Sequence, residues 1–521
     1  MANDTALDCM IVGGGVSGCY AAWRLAAASE GATVSLFERD ARLGGRLLSA
    51  PVGSNGPRID FGAMRYRTGQ VKTRALVEDV LRLPVRALPL GKTNRLYFLR
   101  GMLLDDSAFE SVSQGAIPYR IPESDGGLPP PQLLRRAIET VLSSVRQSGG
   151  EWPEGLNPEG LYQGRPLESW DFWNLMHTVL STEGYYCALD GAGIGNGTVG
   201  RWNAAEAIPW FLAEFAPGCE YRVINGGFDR VSTALAQEFQ ACGGRVLTGH
   251  ELRYVEPADG TGSLLRAVFA RSGQETALVT RRLVLALPPA ALRTLAVRSP
   301  ILESLAPLLE SVTAQRLTRL ILRYSHPWWT AGHPALSRLV TDLPVRQVTF
   351  GVEPAGEGDA RTDQTFVLCS FNDVRYPDFW SSLMASSASH REGATSVPIA
   401  LPAESLMVKE AHRQISHALG CNDVPVPTGA WCVEWDHHPY GGGWHTWNAC
   451  TRPVEVIERL YQPISSLALH VCGEAYSRYQ AWVEGSLMSV DGLLRKIASL
   501  PGLEVAPNAV VGAKERILAS A

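Results

Sequence analysis

The apolar run Cys9-Met10-Ile11-Val12 stops at a glycine and opens onto Gly13-Gly14-Gly15-Val16-Ser17-Gly18. A short continuous run of this kind reads as a parallel strand buried on both faces. The glycines fit G-x-G-x-x-G, and residues 19–28 (CYAAWRLAAA) read as an Ala-rich helix. A second apolar strand, residues 34–37, ends at Glu38, twenty residues beyond Gly18. Strand, glycine turn, helix, strand and acid in this order make a dinucleotide-binding fingerprint. Gly13 permits the tight turn, Gly15 lets the backbone approach a pyrophosphate, and Gly18 lets the helix close on the strand. The pyrophosphate would rest on the helix N-terminus at Val16 and Ser17, with Glu38 accepting hydrogen bonds from ribose hydroxyls. A lone G-x-G-x-x-G occurs in Gly-rich loops of many α/β proteins; the ordered series around it carries the assignment.

Composition bounds the rest. A chain of 521 residues is roughly two to four domains at about 150 residues each. With 45% hydrophobic residues it can bury a large core and still enclose a site. Its 47 Lys+Arg against 52 Asp+Glu argue against a binder of nucleic-acid backbones, which needs a basic stripe. No apolar run reaches the roughly 18 residues of a membrane helix, and residues 1–8 lack the basic and apolar regions of a signal peptide. The ten cysteines include no CxxC pair and read as buried thiols of a reducing compartment, not as disulfides or zinc ligands. The expectation is a cytoplasmic enzyme with no membrane, nucleic-acid or metal function.

A second glycine pair, Arg42-Leu43-Gly44-Gly45-Arg46, and then Asp60-Phe61-Gly62-Ala63-Met64-Arg65 follow the fingerprint. Backbone N–H groups and guanidinium charge of this kind suit a diphosphate. Here the sequence resembles the flavin amine oxidase family, and Gly-Ala-Met-Arg is similar to its L-amino acid oxidases. The far end has the family's form as well: an apolar strand, Gly473-Glu474, a short loop, then Trp482-Val483 at the start of a helix. Asn225-Gly226-Gly227 before a helix, and Leu252 in the strand that follows, resemble the family's adenine-contacting piece. The strand near residues 283–287 resembles the one that closes this part of the sheet. The resemblance implies FAD held by Arg39, Gly45, Arg46, Gly62, Ala63, Met64, Arg65 and Leu252 besides the fingerprint residues. It also implies Glu474 on the ribityl chain, Gly473 and Trp482 beside the cofactor, and the Val483 N–H on the flavin C2 carbonyl, where a helix N-terminus stabilises negative charge.

The fold class that follows is α/β: a discontinuous Rossmann-like FAD-binding domain (residues 1–70, 220–300 and 455–505), an α+β substrate-binding domain (71–125 and 301–454) and an inserted helical domain (126–219). Helical stretches are expected over residues 132–147, 170–180 and 204–215, strands over 319–324 and 365–369, and loops over 148–164, 356–365 and 386–395.

For the substrate site the resemblance implies a clamp by Arg65, whose guanidinium holds an α-carboxylate bidentately so that Cα–H faces flavin N5. The competing reading pairs Arg65 with a carboxylate such as Asp60. Trp482 walls the site, the Ala481 carbonyl accepts the substrate amine, and Trp444, after Gly441-Gly442-Gly443, narrows the pocket toward flat or apolar side chains. Two departures stand out. Phe371 occupies the place of a family Tyr that supports the clamp, and Arg319 the place of a Lys near flavin N5. His177 and His326 are further candidate bases, and Asp171 or Asp190 candidate selectors of a basic side chain. The implied reaction moves a hydride from Cα to flavin N5, O2 restores the flavin and yields H2O2, and the imino acid hydrolyses to a 2-oxo acid and ammonia. Partners would be the L-amino acid, O2 and a second copy of the chain in a homodimer or higher oligomer. An amino acid 2-monooxygenase giving amide and CO2, an amine oxidase indifferent to carboxylate, and a non-enzymatic FAD module remain open.

Overall fold

The computed structural model describes residues 6–503 apart from residue 30 and segments 54–55, 89–93, 111–115, 148–158, 193–200, 215–219, 260–262, 353–364, 372–374, 386–396 and 437–438. The loops expected near 148–164, 356–365 and 386–395 thus lie mostly outside the described residues. Five parallel strands form one sheet in the order Arg245–Leu247, Val34–Phe37, Cys9–Val12, Leu283–Leu285 and Leu469–Val471. They come from three separated stretches of chain. Successive side chains of a strand point to opposite faces, so Cys9 and Ile11 enter one core and Met10 and Val12 another. On the first face lie the helices Val16–Ala28, Arg230–Ala241 and Val483–Ala498. The second face carries an antiparallel meander, Glu251–Pro257, Leu265–Arg271 and Gln274–Thr280, with the helix Pro289–Arg298. Leu283–Leu285 does not close the sheet; it pairs on both sides, and Leu469–Val471 forms the edge.

A second sheet of eight strands includes Thr318–Arg323, Leu336–Thr341, Gln347–Phe350, Phe366–Phe371, Gly429–Glu434 and Asn94–Leu99. One face, with Leu320, Leu322, Leu339, Val348 and Cys369, is sealed by the helices Pro377–Ala385 and Leu406–Ala418. The alternate residues, Arg319, Arg338 and Gln347, face inward. Residues 71–88 do not join this sheet: Leu76 and Val77 enter the core beneath Val16–Ala28, and Val85–Leu88 pairs with Tyr221–Ile224. Their apolar surface is covered by the nucleotide layer, which moves the boundary expected at residue 70.

The helices Pro130–Gln147, Phe172–Val179 and Ala204–Glu214 form their own core with a fourth, Thr182–Gly191, and a small hairpin, Leu161–Tyr162 with Arg165–Pro166. Asp171 caps Phe172–Val179 by accepting from the backbone N–H groups of Trp173 and Asn174 at 3.1 Å each. Among the described residues, no helix is long and apolar enough to cross a membrane.

Candidate functional site

One cavity of about 400 Å³ runs from the glycine turn to the inward face of the eight-stranded sheet and under the helical layer. Its first end is built by the fingerprint. Gly13 has φ +106° and abuts the Ala286 carbonyl, so a side chain there is both strained and obstructed. A Cβ on Gly18 would overlap the Gly13 carbonyl oxygen, whereas a Cβ on Gly15 would meet nothing within 4 Å. The helix Val16–Ala28 starts there with no side-chain cap and no acid in its first turn, leaving its N–H groups to the cavity. Glu38 lines the same end and accepts from the N–H groups of Gly14 (2.6 Å) and Asp40 (2.8 Å), while burial raises its pKa. Leu252 lines it where a bulge separates Leu252 from Tyr254.

Glu474 sits in the middle. Its carboxylate accepts from the Ala481 N–H (2.8 Å) and the His445 N–H (3.1 Å), and contacts His445 Nδ1 and Arg46 Nη1 at 2.9 Å each. Burial alone would raise its pKa, but the charges of Arg46 and His445 prevail and hold it at about 2. These contacts use both oxygens, so a ribityl hydroxyl would have to share one already engaged. Ala481, anchored by that bond, lines the cavity with φ +73°, a conformation costly for a residue with a Cβ.

The far end gathers Arg65, Arg319, Arg338, Gln347, Trp210, Glu214, Trp444, Ala481 and Trp482. Asp60 does not pair with Arg65; it accepts from Ser49 Oγ and the Phe228 N–H. Arg65 instead lies over the Tyr221 ring at 4.6 Å and 3.9 Å from Glu214. Arg319 donates to the Gly62 carbonyl, tying the sheet to the Gly62–Arg65 turn. Burial, opposed by Asp60 and reinforced by Arg65, lowers the Arg319 pKa to about 10; burial with Arg65 and Arg95 does the same for Arg338. Trp210 stacks on Trp444 with ring centroids 5.9 Å apart, and Arg67 lies over Trp482 at 4.9 Å. Trp482 Nε1, Trp210 Nε1, Arg319 Nε and Glu214 Oε2 are buried with no hydrogen-bond partner.

The cavity therefore brings together Gly13, Gly15, Val16, Ser17, Glu38, Arg39, Gly45, Arg46, Gly62, Ala63, Leu252, Gly473 and Val483 along one side, and Arg65, Arg319, Trp444, Ala481 and Trp482 at its end. Two expected residues are placed differently, and a third cannot be placed among the described side chains. Gly18 acts through helix–strand contact and does not line the cavity. Met64 packs into the apolar cluster around Phe61 and Trp435, because the turn that aims Arg65 inward aims its neighbour away. Phe371 ends its strand opposite Thr318, but its side chain lies outside the described residues. Neither candidate base lines the cavity: His177 is exposed and meets Tyr185 edge-on, and His326 is exposed beside Ser325. Asp171 is spent as a helix cap and Asp190 on Arg375 and Tyr119. The acid that the helical layer does contribute is Glu214, at the end of Ala204–Glu214. Sequence reasoning missed Glu214, Trp210, Arg338, Gln347 and His445. One signal was readable, since Arg338 interrupts an otherwise apolar alternation in LSRLVT.

The open space over Gly15, two helix N-termini without side-chain caps at Gly15 and Trp482, and the unpartnered Trp482 and Arg319 nitrogens fit a flavin dinucleotide. The comparisons point the same way. The chain is 25% identical to Aplysianin-A of Aplysia kurodai over 94% of its length and 90% of that protein. It is 25% identical to Achacin of Lissachatina fulica over 94% and 93%. Among solved structures, cyclohexylamine oxidase from Brevibacterium oxydans IH-35A shares the fold (TM-score 0.64, 18% identity, 95% of this chain and all of that one). So does putrescine oxidase (TM-score 0.66, 15% identity, the same coverage). The model of flavin-containing amine oxidoreductases matches residues 16–489, from the phosphate-facing helix to the last helix, and the chain therefore belongs to that family as an FAD-dependent oxidase.

Proposed function

We propose that the protein oxidises the α-amino group of L-amino acids, giving a 2-oxo acid, ammonia and H2O2. The observation that carries the reading is Arg65, a guanidinium at the cavity end on the turn that Arg319 holds, with Asp60 occupied elsewhere. Bound FAD supplies the hydride acceptor, and the glycine turn, Glu38, Arg46 and the Val483 helix N-terminus would hold it. The chain's own residues do the rest. Arg65 binds the carboxylate and fixes which face of Cα is presented. Ala481 offers its carbonyl to the amine, and Glu474 keeps that backbone in its left-handed turn. Trp482, Trp444 and Trp210 exclude water and confine the side chain. Arg319 keeps a positive charge where negative charge accumulates.

The test is peroxide release from the twenty L-amino acids and from their decarboxylated amines. Amino acids should be turned over and the amines should not, and Arg65→Ala should lower kcat/KM by about 100-fold or more. Equal turnover of amines, or an unaffected variant, would overturn the reading; amide and CO2 in place of peroxide would make the protein a monooxygenase.

A further inference from the structure

Glu214 stands between two guanidinium groups at a distance too long to be bonded to either. Its Oε1 lies 3.9 Å from Arg65 Nη2, and its Oε2 lies 3.8 Å from Arg67 Nη1. Both spans are about 1 Å longer than a charge-assisted hydrogen bond. On the Arg65 side the carboxylate borders the cavity. On the Arg67 side Oε2 and Nη1 are both buried, face one another, and have no hydrogen-bond partner among the described residues. Opposite charges held apart out of water are costly, and closing the gap removes the cost.

The helix that carries Glu214 can supply so small a movement. Pro209 interrupts Ala204–Glu214: it has no N–H for the Ala205 carbonyl, which loosens the segment beyond it from the turn before. That segment holds Trp210 and Glu214, four residues apart and so on one face, and both line the cavity. The first turn is fixed by Glu206, which accepts from Arg478 at 2.8 Å. Arg67, by contrast, is held firmly. Its Nη2 donates to Tyr479 Oη at 2.7 Å, its strand pairs with Tyr221–Ile224, and it lies over the Trp482 ring at 4.9 Å.

An α-carboxylate that takes Arg65 decides which way Glu214 goes. Two carboxylates on one guanidinium repel, and the incoming one cancels the charge that drew Glu214 toward Arg65. Arg67 Nη1 is then the donor within reach. We propose that Glu214 is a positioning residue: carboxylate binding at Arg65 drives it onto Arg67, and the closed pair draws the Trp210 segment toward Trp482 around the substrate side chain. The proposal rests on the reading of Arg65 as the carboxylate clamp. It gives a substrate that carries a carboxylate a means of completing the walls of the site, which an amine without one lacks.

The experiment is a double-mutant cycle on the binding of butyrate, a carboxylate with no oxidisable amine, to the FAD-loaded protein, read from the flavin absorbance. Wild type, Glu214→Gln, Arg67→Met and the double variant are compared. If the pair closes on binding, the product of the wild-type and double-variant Kd falls about tenfold below the product of the single-variant values. A pair that contributes equally with and without ligand leaves the two products equal, which overturns the proposal. The cycle also separates Arg67 from Arg338, which feels the charge of Glu214 as well. Should Arg67→Met not fold, hydrogen exchange decides. Butyrate should slow exchange over residues 210–214 of wild type by about tenfold, n-butylamine should not, and Glu214→Gln should lose the effect. Equal protection in Glu214→Gln, or none in wild type, overturns the proposal. Butyrate binding that is absent, or indifferent to Arg65→Ala, removes the clamp reading and this proposal with it; butyrate held by Arg65 with an additive cycle removes this proposal alone.

Discussion

At the scale of single residues, Glu474 shows how a buried carboxylate is made permanent. Arg46, His445 and two backbone N–H groups hold its pKa near 2, well below the ordinary 4.5. A depressed carboxylate pKa contributes stability that is complete above the unfolded value and is lost as pH falls through the folded one. The window is therefore pH 4.5 down to 2, and the contribution is about 3 kcal/mol at neutral pH. Melting temperatures followed from pH 6 to 2 should fall steeply in this window for wild type. Glu474→Gln should start lower and lose less. The importance of Glu474 was legible in the Gly-Glu motif, but its partners were not, because Arg46 and His445 approach it from 428 and 29 residues away in the chain.

Elements carry the glycine logic. Gly18 and Gly15 belong to one motif yet face different constraints, and two substitutions separate them. Gly18→Ala would drive a methyl into the Gly13 carbonyl and should cost about 3 kcal/mol of stability, visible as a lowered Tm. Gly15→Ala places its methyl in the cavity, with φ already −71°. The apoprotein should melt within about 0.5 kcal/mol of wild type. FAD content, measured by absorbance at 450 nm, should fall sharply, since the backbone can no longer approach a phosphate. The strands and helices around this motif were readable because period and capping are local properties. The helix Thr182–Gly191 was not, since its YYCALDG run lacks a clear apolar stripe and is held by packing against Pro130–Gln147.

For the whole molecule, the site is finished by layers that the chain visits at separate times. The helical layer is fastened by Glu206, buried and bonded to Arg478 at 2.8 and 3.0 Å, and by Trp210 stacked on Trp444. Glu206→Ala removes the partner of Arg478, whose side chain is 37% exposed and can turn to water, and should cost about 1 kcal/mol. Hydrogen exchange should show the loss concentrated in Ala204–Glu214, with KM for the proposed amino acid substrate rising more than kcat falls. What the sequence by itself determined was the parallel sheet, the glycine turn, the cofactor class and the turn bearing Arg65. The sheet and the glycine turn follow from contiguous residues whose spacing obeys strand and helix periods, while the flavin and the role of the Arg65 turn follow from the resemblance of their motifs to the flavin amine oxidase family. Only the tertiary structure decided which face of the second sheet turns inward, and so which arginines share the cavity. It also decided that Glu214, and not Asp171 or Asp190, is the acid the helical layer brings there. Alternation along a strand defines two faces but does not say which is covered; here the helices Pro377–Ala385 and Leu406–Ala418 seal the apolar face and leave Arg319, Arg338 and Gln347 to the site.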